Sequence, residues 1–117
     1  MIGTMLTISV NGTIKTTPLT APPDLQTMQN AVGGYIEQVP LFLSIERDGA
    51  VHECNVFCNE EGKLHHLPLN EAATLLWDLA IRRSGRGSLF NAGGKPADVL
   101  VGDIIVLYGD NAFMKSL

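Results

Sequence analysis

Arg82, Arg83, Arg86 and Lys95 place four of the chain's eight basic residues within fourteen positions that contain no acid. Guanidinium groups grip phosphate and carboxylate oxygens bidentately. On a chain with a formal net charge of −4, this glycine-rich stretch is therefore a local candidate for an anion site. Gly93-Gly94-Lys95 resembles part of a phosphate loop, but a Walker loop needs glycine five places before its second glycine and Ser or Thr after the lysine. Leu89 and Pro96 hold those places, so the pattern fails. The competing reading is a solvated connection whose first arginines suit the negative end of a helix dipole. If the stretch binds an anion, Arg82, Arg86 and Lys95 are its contacts, with Arg86 foremost.

A second group of residues suits hydrogen bonding. Asn59, Glu60 and Asn70 fit ribose hydroxyls or base edges, Tyr35 beside Gly34 can stack, and Lys63 closes the Asn59 to Lys63 turn. If the basic stretch is only a connection, the pocket is expected near Tyr35 and this turn. Glu37 and Glu60 are the carboxylates that acid–base work would use, but no nucleophile or histidine partner accompanies them at a recognisable spacing. His52, Cys54, Cys58, His65 and His66 are able to ligate a metal. Strand alternation, however, sets His52, Cys54 and Cys58 on one face with at most one of the histidine pair, and the spacing is not that of a structural zinc site. No metal and no cofactor is expected, and the thiols are expected to be free.

These residues must be positioned by a fold that the periodicity outlines. Leu6, Ile8 and Val10 alternate with Thr7 and Ser9, predicting a half-buried strand over 5–10 that turns at Asn11-Gly12, a type I′ signal, into a Thr-rich edge strand over 13–17. Asp24 opens a short helix whose stripe is Leu25, Met28, Gln29 and Val32 and which stops at Gly33-Gly34. An extended segment over 35–47, with Leu41, Leu43 and Ile45 on one face, turns at Asp48-Gly49 into 51–58, and a third strand over 64–67 completes a meander. Pro40 implies a bulge, a break or an edge within it. Asn70 caps a second helix over 71–83. Its core stripe is read as Leu75, Leu76 and Leu79, with a second stripe of Ala73, Trp77 and Ile81 facing a subunit or the loop. A long connection over 84–96 precedes a last strand over 99–108. The expectation is one α+β domain spanning 1–117: a mostly antiparallel sheet, curled toward a barrel, packed by two helices.

Composition bounds the rest. Apolar residues make up 45% and charged residues 17% of 117, enough for a folded core without disulfides. The acidic balance argues against binding duplex nucleic acid, whose affinity comes largely from phosphate neutralisation. MIGTMLTISV lacks the basic flank and apolar core of a secretion signal, and no run approaches the roughly 18 apolar residues of a membrane span. A cytoplasmic protein with no membrane partner is expected.

In VGGYIE (Val32 to Glu37), NEEGKL (Asn59 to Leu64), LPLNEAAT (Leu67 to Thr74) and VGDIIVL (Val101 to Leu107), the chain resembles a family of small uncharacterised domains encoded largely by phages, plasmids and actinobacteria. The resemblance runs from Leu25 to Leu107. It implies a genomic context and no mechanism: phage proteins of this size disarm host immunity by binding a host protein or by sequestering a nucleotide messenger. Three functions follow as expectations. The first is a non-catalytic counter-defence sponge, a homodimer or larger, acting in the host cytoplasm on a small anionic ligand such as a signalling nucleotide. The others are a protein–protein inhibitor of a host factor and a nucleotide phosphodiesterase using Glu37 and Glu60.

Overall fold

The computed structural model describes residues 1–90 and 92–117. Asn91, within the glycine-rich stretch, lies outside the described residues. Among the described residues the chain forms seven strands and three helices: β1 (Gly3–Ile8), β2 (Ile14–Leu19), α1 (Leu25–Val32), β3 (Ile36–Gln38), β4 (Ser44–Arg47), β5 (Ala50–Glu53), β6 (Asn55–Asn59), α2 (Glu71–Arg83), β7 (Ile104–Gly109) and α3 (Asn111–Lys115). The strands make an antiparallel five-stranded sheet of order β2-β1-β7-β6-β3 and a separate β4-β5 hairpin. The α+β class is as expected. The sheet is open, with β2 and β3 as its edges, and does not close into a barrel.

β7 lies at the centre because its run Ile104, Ile105, Val106 and Leu107 is buried on both sides of the sheet, the signature of a strand covered on two faces. Ile104 and Val106 join Leu6, Ile8 and Val56 under α2 and the β4-β5 hairpin. Ile105 and Leu107 join Met5 and Phe57 under α1 and α3. The sequence reading had a sheet packed by two helices. It missed α3, which Asp110 caps by accepting the Phe113 N–H at 2.9 Å. Phe113 lies flat against the end of the β1-β7 pair, where a Cβ on Gly3 or Gly109 would come within 2.3 Å or 2.7 Å of its ring. Glycine is required at both positions.

Of the two expected hairpin turns, Asp48-Gly49 forms as read and Asn11-Gly12 does not take the type I′ form. Asp48 and Gly49 both take positive φ, 53° and 80°, giving the type I′ geometry. At Asn11-Gly12 only Gly12 does. There Asn11 Oδ1 accepts the Thr13 N–H instead, and a wider loop joins β1 to β2. The extended 35–47 segment breaks at Pro40-Leu41, where Leu41 has φ 62°. Phe42 and Ile45 are consequently buried while Leu41 and Leu43 are exposed. The expected 64–67 strand is a coil of turns, with His66 at φ 54° and Leu67 N donating to Gly62 O. The single ladder pair nearby is Leu69 with Val101.

The phase of α2 differs from the sequence reading, and of the expected core stripe only Leu76 packs against the core. Ala73, Thr74, Trp77, Ala80 and Ile81 are buried, whereas Leu75 and Leu79 are each 48% exposed. Ala73, Ala80 and Ile81 pack into the core beside the sheet residues Leu6, Ile8 and Val106, and Trp77 donates its indole N–H to Pro40 O at 2.9 Å.

Asn70 holds this packing together. Its Nδ2 donates to Ile8 O at 2.8 Å and Gly102 O at 2.9 Å, and its Oδ1 accepts the Ala73 N–H at 3.0 Å, all without access to solvent. Asn70→Ala removes a helix cap and takes the amide donor away from two buried carbonyls. It should cost roughly 3 kcal/mol or more, read as a lowered urea midpoint. An unchanged midpoint would contradict this role.

Candidate functional site

Two indentations meet at Asn59. The first is a cleft of about 140 Å³, room for roughly five waters. Its sides come from the end of β3 and the residues that follow it, Glu37 to Pro40, and from Asp98 to Val101 before β7, and Glu60 and Lys63 also line it. Val39, Cys58, Trp77 and Leu100 give it an apolar lining. The 98–101 wall is fixed to α2: Asn70 N donates to Leu100 O at 2.8 Å, and Leu100 N donates to Thr74 Oγ1 at 3.0 Å. Lys63 Nζ pairs with Asp98, with both side chains about half exposed. Asp98 Oδ1 also accepts its neighbour's N–H from Val99 at 2.8 Å.

The second indentation is a wider recess of about 470 Å³ at the C-terminal end of α1. Tyr35, Gln29 and Asn30 line it beside Gly33-Gly34, with Glu61 and His65 on the far side. Asn59 reaches both spaces. It donates from Nδ2 to Val32 O at 3.2 Å and accepts the Glu61 N–H at 2.9 Å, tying the turn to the end of α1. Glu60 N donates to Tyr35 O at 2.8 Å.

Tyr35, Asn59, Glu60 and Lys63, expected as ligand contacts, thus lie along one continuous surface. Glu37, the other carboxylate of the hydrolytic reading, shares the first cleft with Glu60. Asn70 is fully buried with its amide engaged in the fold.

The basic stretch is dispersed. Asp78, four residues before Arg82, takes its Nε at 2.8 Å, and Arg82 also donates to Ser88 Oγ at 3.0 Å. Asp78 further accepts from Ser88 Oγ and the Leu89 N–H, each at 2.8 Å, anchoring the start of the connection. Burial works to raise the Asp78 pKa, but the bonds from Ser88, Leu89 and Arg82 outweigh it and hold the pKa below the usual carboxylate value. Arg83 donates to Ser44 Oγ and O, holding the β4-β5 hairpin. Arg86 and Lys95 are exposed. The Asp78–Arg82 pair was visible in the sequence as an i,i+4 acid and base. Asp98, thirty-five residues from its partner Lys63, had no such signal.

The ligating side chains do not gather. His52 stacks on Tyr108 with centroids 4.5 Å apart, His65 faces Glu61 at 3.4 Å, and Cys54 is buried. Among the described residues no three His, Cys, Asp or Glu side chains converge on a point where a metal could bind. No described helix is long and apolar enough to cross a membrane.

The fold and this double indentation describe a small α+β domain with a shallow ligand-sized surface site. Residues 4–117 match a family described as a domain of unknown function, DUF3846, and the chain belongs to that family. No curated protein and no solved structure matches it.

Burial raises the Cys58 pKa from 9.0 to about 11, assisted by Glu37 and opposed by Lys63. Burial likewise raises Cys54 to about 12. Neither thiol is a ready nucleophile at neutral pH. Because both folded pKa values lie above the ordinary one, their contribution to stability is present below about pH 9 and lost as the pH rises toward 11–12. Thiol titration of the native protein should label Cys58 slowly, about tenfold faster per pH unit below its pKa, and Cys54 only on unfolding. Rapid labelling of both at pH 7 would contradict this.

Proposed function

We propose that the protein is a non-catalytic binding domain that sequesters a small anionic ligand, of the class of a signalling nucleotide, at the cleft beside the Asn59 to Lys63 turn. The observation that carries this reading is the half-exposed Lys63–Asp98 ion pair in a cleft with an apolar floor of Val39, Trp77 and Leu100 and with Glu37, Asn59 and Glu60 on its rim. An exposed pair of this kind is worth about 0–1 kcal/mol, so a doubly charged phosphate displaces Asp98 from Lys63 at small cost. Glu37 and Glu60 then accept hydrogen bonds from ligand hydroxyls, and Arg86 and Lys95 on the connection extend the positive potential. The raised thiol pKa values also favour capture over nucleophilic chemistry. Encoded by a phage or plasmid, such a domain acts as a counter-defence sponge in the host cytoplasm.

A phosphodiesterase working through Glu37 and Glu60 is a second reading, favoured by their sharing one cleft. Incubation with candidate nucleotides, followed by heat denaturation and mass spectrometry, separates the two: sequestration returns the ligand intact, whereas hydrolysis yields a new product. Under sequestration, Lys63→Ala should weaken nucleotide binding about ten- to a hundredfold. Asp98→Asn, which releases Lys63, should strengthen it up to about fivefold. Opposite signs for these two variants, measured by titration calorimetry, support the reading. Equal affinities place the ligand elsewhere.

The exposed Leu75 and Leu79 on α2 favour a protein contact on that face, and our reading assigns it to a second copy of the chain in a homodimer or larger assembly, with a host factor as the rival occupant. Light scattering should give at least twice 12.6 kDa. A monomeric mass at high concentration would contradict self-assembly.

A further inference from the structure

We propose that the recess at the C-terminal end of α1 is a nucleobase site, in which a planar heterocycle stacks on Tyr35 and meets the carboxamides of α1 with its edge. Tyr35 is 66% exposed, and the chain geometry holds it there. The Gly33 and Gly34 N–H groups both donate to Gln29 O, at 2.8 Å and 3.1 Å, and Gly33 takes φ 78°, so the backbone reverses immediately before Tyr35. Gly34 leaves room for the Asn59 amide, which would lie 2.8 Å from a Cβ at that position. Tyr35 is therefore fixed by its backbone on both sides, through Gly34 and through the bond from Glu60 N to its carbonyl.

The polar lining matches a base edge better than a phosphate. Gln26 Nε2 donates to Asn30 Oδ1 at 2.8 Å, which links two amides along α1 and still leaves an acceptor on Gln26 and a donor on Asn30. Gln29 adds a third amide. Bases display alternating donors and acceptors, and carboxamides pair with such edges bidentately. The ionisable groups lining the recess, Glu61 and His65, face each other at 3.4 Å, and no lysine or arginine lines it. A volume of about 470 Å³ is of the size that takes small-molecule ligands. An exposed aromatic ring gives stacking tolerant of base identity, while the amide row sets the preference.

The inference rests on the proposed function only in assigning this recess to the base and the Lys63 cleft to the phosphate of one ligand, with Asn59 between them. Two probes separate the halves. Adenosine, guanosine, cytidine and uridine carry base and ribose without phosphate, and ribose 5-phosphate carries phosphate without base. In amide NMR titrations, at least one nucleoside should shift Gly34, Tyr35 and the Gln29 and Asn30 side-chain amides. Tyr35→Ala should weaken that nucleoside about tenfold or more, and Tyr35→Phe should retain it. Because Tyr35 is exposed, a native-like spectrum of both variants is expected and is read in the same experiment. Ribose 5-phosphate should shift Lys63 and leave the recess unmoved. The inference is overturned if no nucleoside moves the recess resonances at millimolar concentration, or if Tyr35→Ala binds as well as the parent. If nucleosides bind as described while ribose 5-phosphate does not, the base site stands and the Lys63 assignment fails.

Discussion

One buried side chain fixes the relation between the sheet, the long helix and the cleft. Asn70 has no solvent access, yet three separate parts of the chain converge on it: the end of β1 through Ile8 O, the turn into β7 through Gly102 O, and the first turn of α2 through the Ala73 N–H. A buried amide without these partners would cost several kcal/mol, so the three parts hold their geometry together or not at all. The wall of the cleft follows from it. Asn70 O accepts Thr74 Oγ1 at 2.8 Å, and Thr74 Oγ1 accepts the Leu100 N–H. Residues 98–101 are thereby stitched to α2 one turn before Trp77 reaches Pro40.

Given that frame, the basic residues expected to act in concert are assigned separate tasks. Arg82 is held by Asp78 and Ser88, and Arg83 by Ser44. An acidic chain that spends arginines on anchoring its own connection and hairpin has fewer to offer a ligand. Lys63 differs because its partner Asp98 is itself part of the cleft and is partly exposed. The cleft thus combines one exchangeable ion pair, the Glu37 and Glu60 carboxylates and an apolar lining, beside a recess that holds Tyr35.

Much of this was legible in the sequence where local rules dominate. The β7 run, the Asn70 cap, the ends of α1 and the Asp48-Gly49 turn each follow from a few adjacent residues. Tyr35, Asn59, Glu60 and Lys63 were legible as a group because the end of α1 and the turn after β6 are polar segments beside clear elements. Failures came where packing overrides local preference. Leu75 and Leu79 are more hydrophobic than Ala73 and Ala80, yet the helix turns toward the core the face that carries Trp77 with its bond to Pro40, and the alanines lie on that face. The five-residue α3 is too short to show periodicity, and its reason for existing, Phe113 over Gly3 and Gly109, joins opposite ends of the chain. Asn70 itself was read as a cap and a ligand contact. Its inward bonds to Ile8 and Gly102 span 62 and 32 residues, and no local pattern announces them.

The site's location can be decided by crystallography of the protein grown with a nucleoside monophosphate that it binds. Difference density with the phosphate beside Lys63 Nζ, Asp98 turned away and the base over Tyr35 is the predicted result. A phosphate held on Arg86 and Lys95, with the Lys63–Asp98 pair intact and the Tyr35 recess open, would contradict it.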